Sequence, residues 1–140
     1  MVTVRPFKAL RPPVSIVKKI AELPYDVINT KEAKAIADGN EYSFFHITRA
    51  EIDLPETVDI HDEMVYQQGK NALNEFIKKG WLVEEKEPTI YLYKQKMGDH
   101  EQTGFVGCVS ADEYNNDIIK KHELTRKDKE DDRTKTVITQ

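Results

Sequence analysis

The residues of this chain that could do chemistry concentrate in one stretch, 120–135, where seven cationic and five anionic side chains accompany His122 and Thr125 and almost nothing apolar. His122-Glu123 stands beside Thr125-Arg126, and Lys129, Glu130 and Arg133 follow. Such a set can hold phosphate and move protons. A Thr125 that caps a helix leaves the free N–H groups of the first turn on the side of its hydroxyl, which makes an anion site. Arg126 adds a bidentate donor for a phosphate. Arg126, Lys129, Glu130 and Arg133 recur at spacings of three and four, so they share one helical face. Glu123 is placed to act as a base, with His122 as acid or base near neutral pH and Glu130 as a second carboxylate. The same residues also fit a solvated helix whose charge pairs contribute roughly 0.2–0.5 kcal/mol each. On the anion reading, phosphate binds with a dissociation constant on the order of millimolar, about 4 kcal/mol, and Arg126→Ala abolishes binding.

Two further candidates lie upstream. Asp26, in the turn Pro24-Tyr25-Asp26, has the residue type that accepts backbone N–H groups, a structural role unless a partner joins it. Arg49 ends an aromatic segment and is expected to face a cleft. His46, within that segment, reads as a satisfied core residue. Metal binding is not expected, because His46, His61, His100 and His122 are isolated and no Cys or His pair has ligand spacing. Neither a phosphate-binding Gly-rich loop with its Lys nor a Ser nucleophile elbow is present.

The elements that must position these residues are readable from the pattern. Residues 2–10 alternate and predict a strand that Pro6 confines to an edge or a bend. Ile16, Val17, Ile20 and Leu23 predict a short amphipathic helix over 14–23, ended by Pro24. Asn29 with Glu32 three residues on is a capping-box pattern for a helix that runs to Asp38 and closes on Gly39-Asn40. Residues 42–47 predict an aromatic strand. Residues 59–79 predict the longest helix, with Met64, Val65, Ala72, Leu73, Phe76 and Ile77 as its core stripe. Phe76→Ala and Ile77→Ala should then each cost about 2–5 kcal/mol. Gly69, in the middle, allows close packing, and Gly80 terminates the helix. Residues 89–95 and 102–109 predict a hairpin across Met97-Gly98-Asp99-His100. Ser110 with Glu113 marks a short helical turn, and Thr125 the start of the charged helix. Without βαβ regularity, the expectation is an α+β fold with a mixed or mostly antiparallel sheet and three to four helices, a single domain over 1–140.

A chain of 140 residues can bury one core. Charged residues make up 33% and mean hydropathy is −0.65, so the surface is strongly hydrated. The net charge of −4 argues against a general nucleic-acid binder. That charge is uneven: 120–135 is net positive and the remainder acidic, which leaves room for a local phosphate site. No run of eighteen apolar residues predicts a membrane span, and the N-terminus has no signal-peptide pattern, so a cytoplasmic location is expected. The single cysteine, Cys108, lies in a glycine- and valine-rich strand and reads as a small buried hydrophobe rather than a nucleophile. Residues 134–140 carry no Gly or Pro stop, so the chain is expected to be an N-terminal piece of a longer protein.

Several segments together resemble the bacterial and archaeal family called domain of unknown function 1015. They are Arg5-Pro6-Phe7-Lys8-Ala9-Leu10-Arg11-Pro12, Leu23-Pro24-Tyr25-Asp26-Val27, the Ser43-Phe44-Phe45-His46-Ile47-Thr48-Arg49 core, Gln102-Thr103-Gly104, and the run from His122 to Arg133. They lie in order over nearly the whole chain. The resemblance implies a longer protein whose downstream part carries an Asp-Gly-His-His-Arg motif similar to that of ParB/sulfiredoxin-like proteins, a group that includes nucleotide-dependent free-serine kinases. It thus implies a phosphate- or nucleotide-using enzyme acting on a small molecule, with ATP or ADP and magnesium, its active site completed beyond this chain. Catalysis would fall to Glu123, His122 and Glu130, and phosphate binding to Thr125, Arg126, Lys129 and Arg133. Because some members are labelled ParB-like, a DNA-partition or protein-interaction module is the alternative. Nucleic acid is the less expected partner, given the acidic charge and no helix-turn-helix pattern.

Overall fold

Pro6 has no N–H to give to a ladder, and the first β segment breaks around it. A computed structural model of the chain describes residues 1–121 and 125–140. The strands are β1 (Val4–Arg5), β2 (Leu10–Arg11), β3 (Val83–Glu84), β4 (Tyr91–Met97), β5 (His100–Val106) and β6 (Cys108–Val109). The helices are α1 (Val17–Ile20), α2 (Thr30–Ala37), α3 (Phe45–Thr48), α4 (Glu63–Lys78), α5 (Ala111–Asn115) and α6 (Lys127–Thr139). Two 3-10 turns, Tyr25–Val27 and Ala50–Asp53, complete them. The fold is α+β. Its strands form two-stranded pairs, β1 with β6, β2 with β3 and β4 with β5, rather than one sheet. Contacts divide the chain into two units, Met1–Leu10 with 84–121, and Arg11–Val83 with Thr125–Gln140.

The first unit is built on the hairpin of β4 and β5, antiparallel from Tyr91↔Val106 to Met97↔His100. Gly98 opens its two-residue turn at φ 61°, a conformation that a side chain would strain. The Tyr91 hydroxyl ties the N-terminal segment to the hairpin, donating to the Phe7 carbonyl at 3.0 Å and accepting from Ala9 N–H at 2.9 Å. β1 pairs antiparallel with β6, and Phe7 bridges to Thr89. Ser110 accepts from the Glu113 N–H at 3.4 Å, but the Glu113 carboxylate turns to Thr3 instead of closing a capping box. Cys108, expected to be buried, is exposed, because among the described residues its two-residue strand pairs only with β1 and both of its residues stay open to solvent.

The second unit holds the core. The capping box of α2 forms as the spacing predicts: Asn29 accepts from Glu32 N–H at 3.0 Å, and Glu32 accepts from Asn29 N–H at 2.9 Å. α2 packs Ala33 and Ala37 against Ile28, Phe45 and Ile52. A second cluster joins Ile20, Ile47, Phe76 and Leu82, with Tyr42, Phe44, Leu73 and Trp81 against it. These clusters explain why 42–47 is not a strand. Phe44 and Ile47 enter one cluster and Phe45 the other, a division that one helical turn achieves and strict alternation does not. Local bonds satisfy the backbone there, including Ile47 N–H to the Phe44 carbonyl and Arg49 N–H to the Phe45 carbonyl. On α4, Val65 and Phe76 are buried and Ala72 and Leu73 partly so, whereas Met64 and Ile77 face solvent. A Cβ on Gly69 would sit 3.0 Å from the Ile47 carbonyl oxygen, so glycine is what lets α4 lie against α3.

His46 is a tether rather than a core residue. Its Nδ1 lies 2.8 Å from an Asp53 carboxylate oxygen and its Nε2 3.2 Å from the Asn40 carbonyl oxygen. Both partners are acceptors, so the ring satisfies both only as the doubly protonated imidazolium. The Asp53 hydrogen bond, opposed by burial, raises the His46 pKa above its ordinary value of 6.5. A raised folded pKa means that this stabilisation is complete below the unfolded value and is lost as pH rises through the folded one. Asp53→Asn should bring the His46 midpoint down and flatten that alkaline loss. An NMR titration of the His46 ring that shows the same midpoint in both proteins would contradict this.

Candidate functional site

Helix α6 starts one residue later than its hydroxyl predicts. Arg126 is its N-cap, and no side chain caps the first turn. The Thr125 hydroxyl donates to the Glu130 carboxylate at 3.0 Å, and the Arg126 guanidinium forks onto Asp128 at 2.7 and 3.2 Å. The physical reason is local: carboxylates on the first turn satisfy both groups, so neither is left to hold an anion. Lys127 pairs with Asp131 at 2.5 Å one turn on.

Further along, Lys129, Asp132, Arg133, Thr136 and Gln140 form one face of α6 and line a cleft. Its other walls are Tyr25, the segment from Thr48 to Glu51 where α3 runs into a 3-10 turn, His61, and Val65, Tyr66 and Gly69 of α4. The cleft encloses about 50 Å³. That admits waters or one small polar group and falls well short of the roughly 300 Å³ at which ligand pockets begin.

Asp132 is the hub. It accepts from the Tyr66 hydroxyl at 2.8 Å and faces His61 Nδ1 at 3.2 Å, and its other oxygen takes both Nε and a terminal nitrogen of Arg133. Burial pushes the Asp132 carboxyl up, but the hydrogen bonds from Arg133, Tyr66 and His61 outweigh it and hold the group below the usual carboxylate range. The Tyr66 hydroxyl moves the other way: burial first, then the bond to Asp132, push it up to about 12. The Arg133 guanidinium lies 4.1 Å from the Tyr25 ring centroid, a cation–π contact that fixes the plane of its fork. Arg49 donates to the Ile28 carbonyl at 2.9 Å and pairs with the buried Glu51 at 3.3 Å, and Thr30 also donates to Glu51. Arg49 Nε is buried with no hydrogen-bond partner among the described residues. Lys129 is exposed, and among the described residues no carboxylate pairs with it.

Of the residues singled out in the sequence, Arg49, Lys129 and Arg133 come together in this cleft. Thr125, Arg126 and Glu130 lie at the start of α6 and bond with one another and with Asp128. Asp26 is exposed on the 3-10 turn whose Tyr25 lines the cleft. His122 and Glu123 lie outside the described residues. Sequence reasoning missed His61, Tyr66 and the central place of Asp132. Asp132 was signalled by the three-residue step from Lys129, but its partners lie 66 and 71 residues away and leave no local pattern.

Among the described residues, no group of three or more His, Cys, Asp or Glu side chains is placed to hold a metal ion. No described helix is long and apolar enough to cross a membrane. No curated protein and no solved structure matches the chain. The family described as a protein of unknown function, DUF1015, matches residues 4–140, and the chain belongs to that family.

Proposed function

We propose that the cleft binds the phosphate, or a comparable oxyanion group, of a small molecule on which a phosphate-using enzyme acts. The supporting observation is its charge. Arg49, Lys129 and Arg133 line it against two carboxylates, Glu51 and Asp132. The exposed Lys129 ammonium pairs with no carboxylate among the described residues, and the buried Arg49 Nε has no hydrogen-bond partner there. An oxyanion accepts from both, and a buried orphan donor favours a ligand that supplies the missing bond. The volume suits a phosphate group and not a whole nucleotide. On this reading ATP or ADP, with magnesium, places one phosphate in the cleft and its base and ribose outside. On the same reading the protein acts in the cytoplasm. No observation of this cleft favours the DNA-partition alternative.

The test is a titration of sulfate and of phosphate into the isotope-labelled chain at low salt. Amide shifts should appear at Arg49, Lys129 and Arg133 with a dissociation constant on the order of millimolar, about 4 kcal/mol. Lys129→Ala should weaken binding roughly five- to tenfold, near 1–1.4 kcal/mol. Arg126→Ala should leave it unchanged, since Asp128 already occupies that guanidinium. Shifts that are absent from the cleft, or that depend on Arg126 and not on Lys129, would remove this reading.

A further inference from the structure

We propose that His61 is the proton acceptor of this cleft, with the Asp132 carboxylate presenting its Nε2 to a hydroxyl group of the phosphate-bearing small molecule. The proposal rests on the oxyanion reading of the same site. Asp132 Oδ1 lies 3.2 Å from His61 Nδ1, and an ionised carboxylate can only accept. Nδ1 must therefore carry the hydrogen, and in the neutral ring Nε2 keeps its lone pair. Among the described residues the ring makes no other hydrogen bond, so nothing occupies that lone pair. The ring is 60% exposed at the edge of the cleft, where a ligand can reach it.

The carboxylate is held for this task. Its side chain is only 12% exposed on α6, and the Tyr66 hydroxyl and the Arg133 fork fix both oxygens. Asp132 is thus a positioning residue that sets the tautomer and steadies the imidazolium once formed. The step is a proton transfer: the O–H bond of the substrate hydroxyl breaks, the proton joins the Nε2 lone pair, and the bonding electrons stay on oxygen. The alkoxide forms in a cleft where Lys129, Arg49 and Arg133 favour negative charge. His46 is the contrast within the same unit. It also faces an aspartate, but its second nitrogen is turned to a carbonyl oxygen, so it has no lone pair to offer.

The tautomer is directly measurable. Long-range proton–nitrogen spectra of the whole chain, recorded where the ring is neutral, should show Nδ1–H with an unprotonated Nε2. In Asp132→Asn the ring should move toward the Nε2–H form, a change that loss of mere packing would not produce. With glycerol phosphate as probe, His61 ring protons should show Overhauser contacts to the carbinol hydrogens. A wild-type ring in the Nε2–H form, or contacts to glycerol phosphate that bypass His61, overturns the proposal even where sulfate binds the cleft. An Nδ1–H ring in a chain that binds neither sulfate nor glycerol phosphate overturns the oxyanion reading instead, and with it the substrate assigned to His61.

Discussion

Phe76→Ala should destabilise the protein by about 3–5 kcal/mol, while its neighbour Ile77→Ala should cost about 1 kcal/mol or less. Phe76 is 3% exposed and sits among Ile20, Ile47 and Leu82. Its ring meets Trp81 edge-on, with centroids 5.1 Å apart, and its carbonyl accepts from the N–H groups of Trp81 and Leu82. Truncation opens a cavity between helices that cannot simply collapse, because Gly69 already brings α4 against the Ile47 carbonyl. Ile77 is 42% exposed, so its removal forfeits only part of a side chain's transfer free energy. Thermal or urea unfolding of the two variants decides the matter. Phe76→Ala should lower the melting temperature by roughly 10 °C, at a few degrees per kcal/mol. Equal losses in the two variants would mean that the buried face of α4 is not the one described.

The contrast between these neighbours shows what the sequence makes legible. Residues at spacings of three and four mark a helical face to within about one position, so Val65, Ala72, Leu73 and Phe76 are correctly grouped. The edges of the stripe, Met64 and Ile77, depend on how wide the opposing surface is, and only tertiary structure sets that. Local chemistry is read well where both partners lie within one turn, as with Asn29 and Glu32. It is read poorly where a distant group competes, as when Glu113 leaves its turn for Thr3. The segment 42–47 fails for a related reason. Its aromatic residues satisfy β propensity, but two separate clusters claim them, and propensity yields to packing. The candidate site divides in the same way. The α6 face carrying Lys129 and Arg133 is a matter of spacing, whereas Tyr66 and His61 reach Asp132 only through the fold.

That convergence on Asp132 sets up the remaining large effect. Asp132→Ala should lower stability by about 2–3 kcal/mol near neutral pH, because the buried Tyr66 hydroxyl loses its acceptor and Arg133 its partner. Arg133 contributes the smaller share, since it is partly exposed and keeps the Tyr25 ring face. The effect must depend on pH with a definite sign. The folded Asp132 pKa is depressed, so its contribution is complete above the unfolded value of about 3.9 and fades as pH falls through the folded one. Wild type and variant should therefore converge in acid. Binding should move the opposite way from stability. Without this carboxylate the cleft loses one of its two negative charges and Arg133 is released to the ligand, so sulfate should bind roughly fivefold tighter, near 1 kcal/mol. Tyr66→Phe is the control: it should cost about 1 kcal/mol and leave sulfate affinity unchanged. A double-mutant cycle of Tyr66→Phe with Asp132→Ala isolates their bond. Should Asp132→Ala weaken sulfate binding, the carboxylate would be helping the anion through His61 or Arg133, and the charge balance argued for this cleft would be wrong.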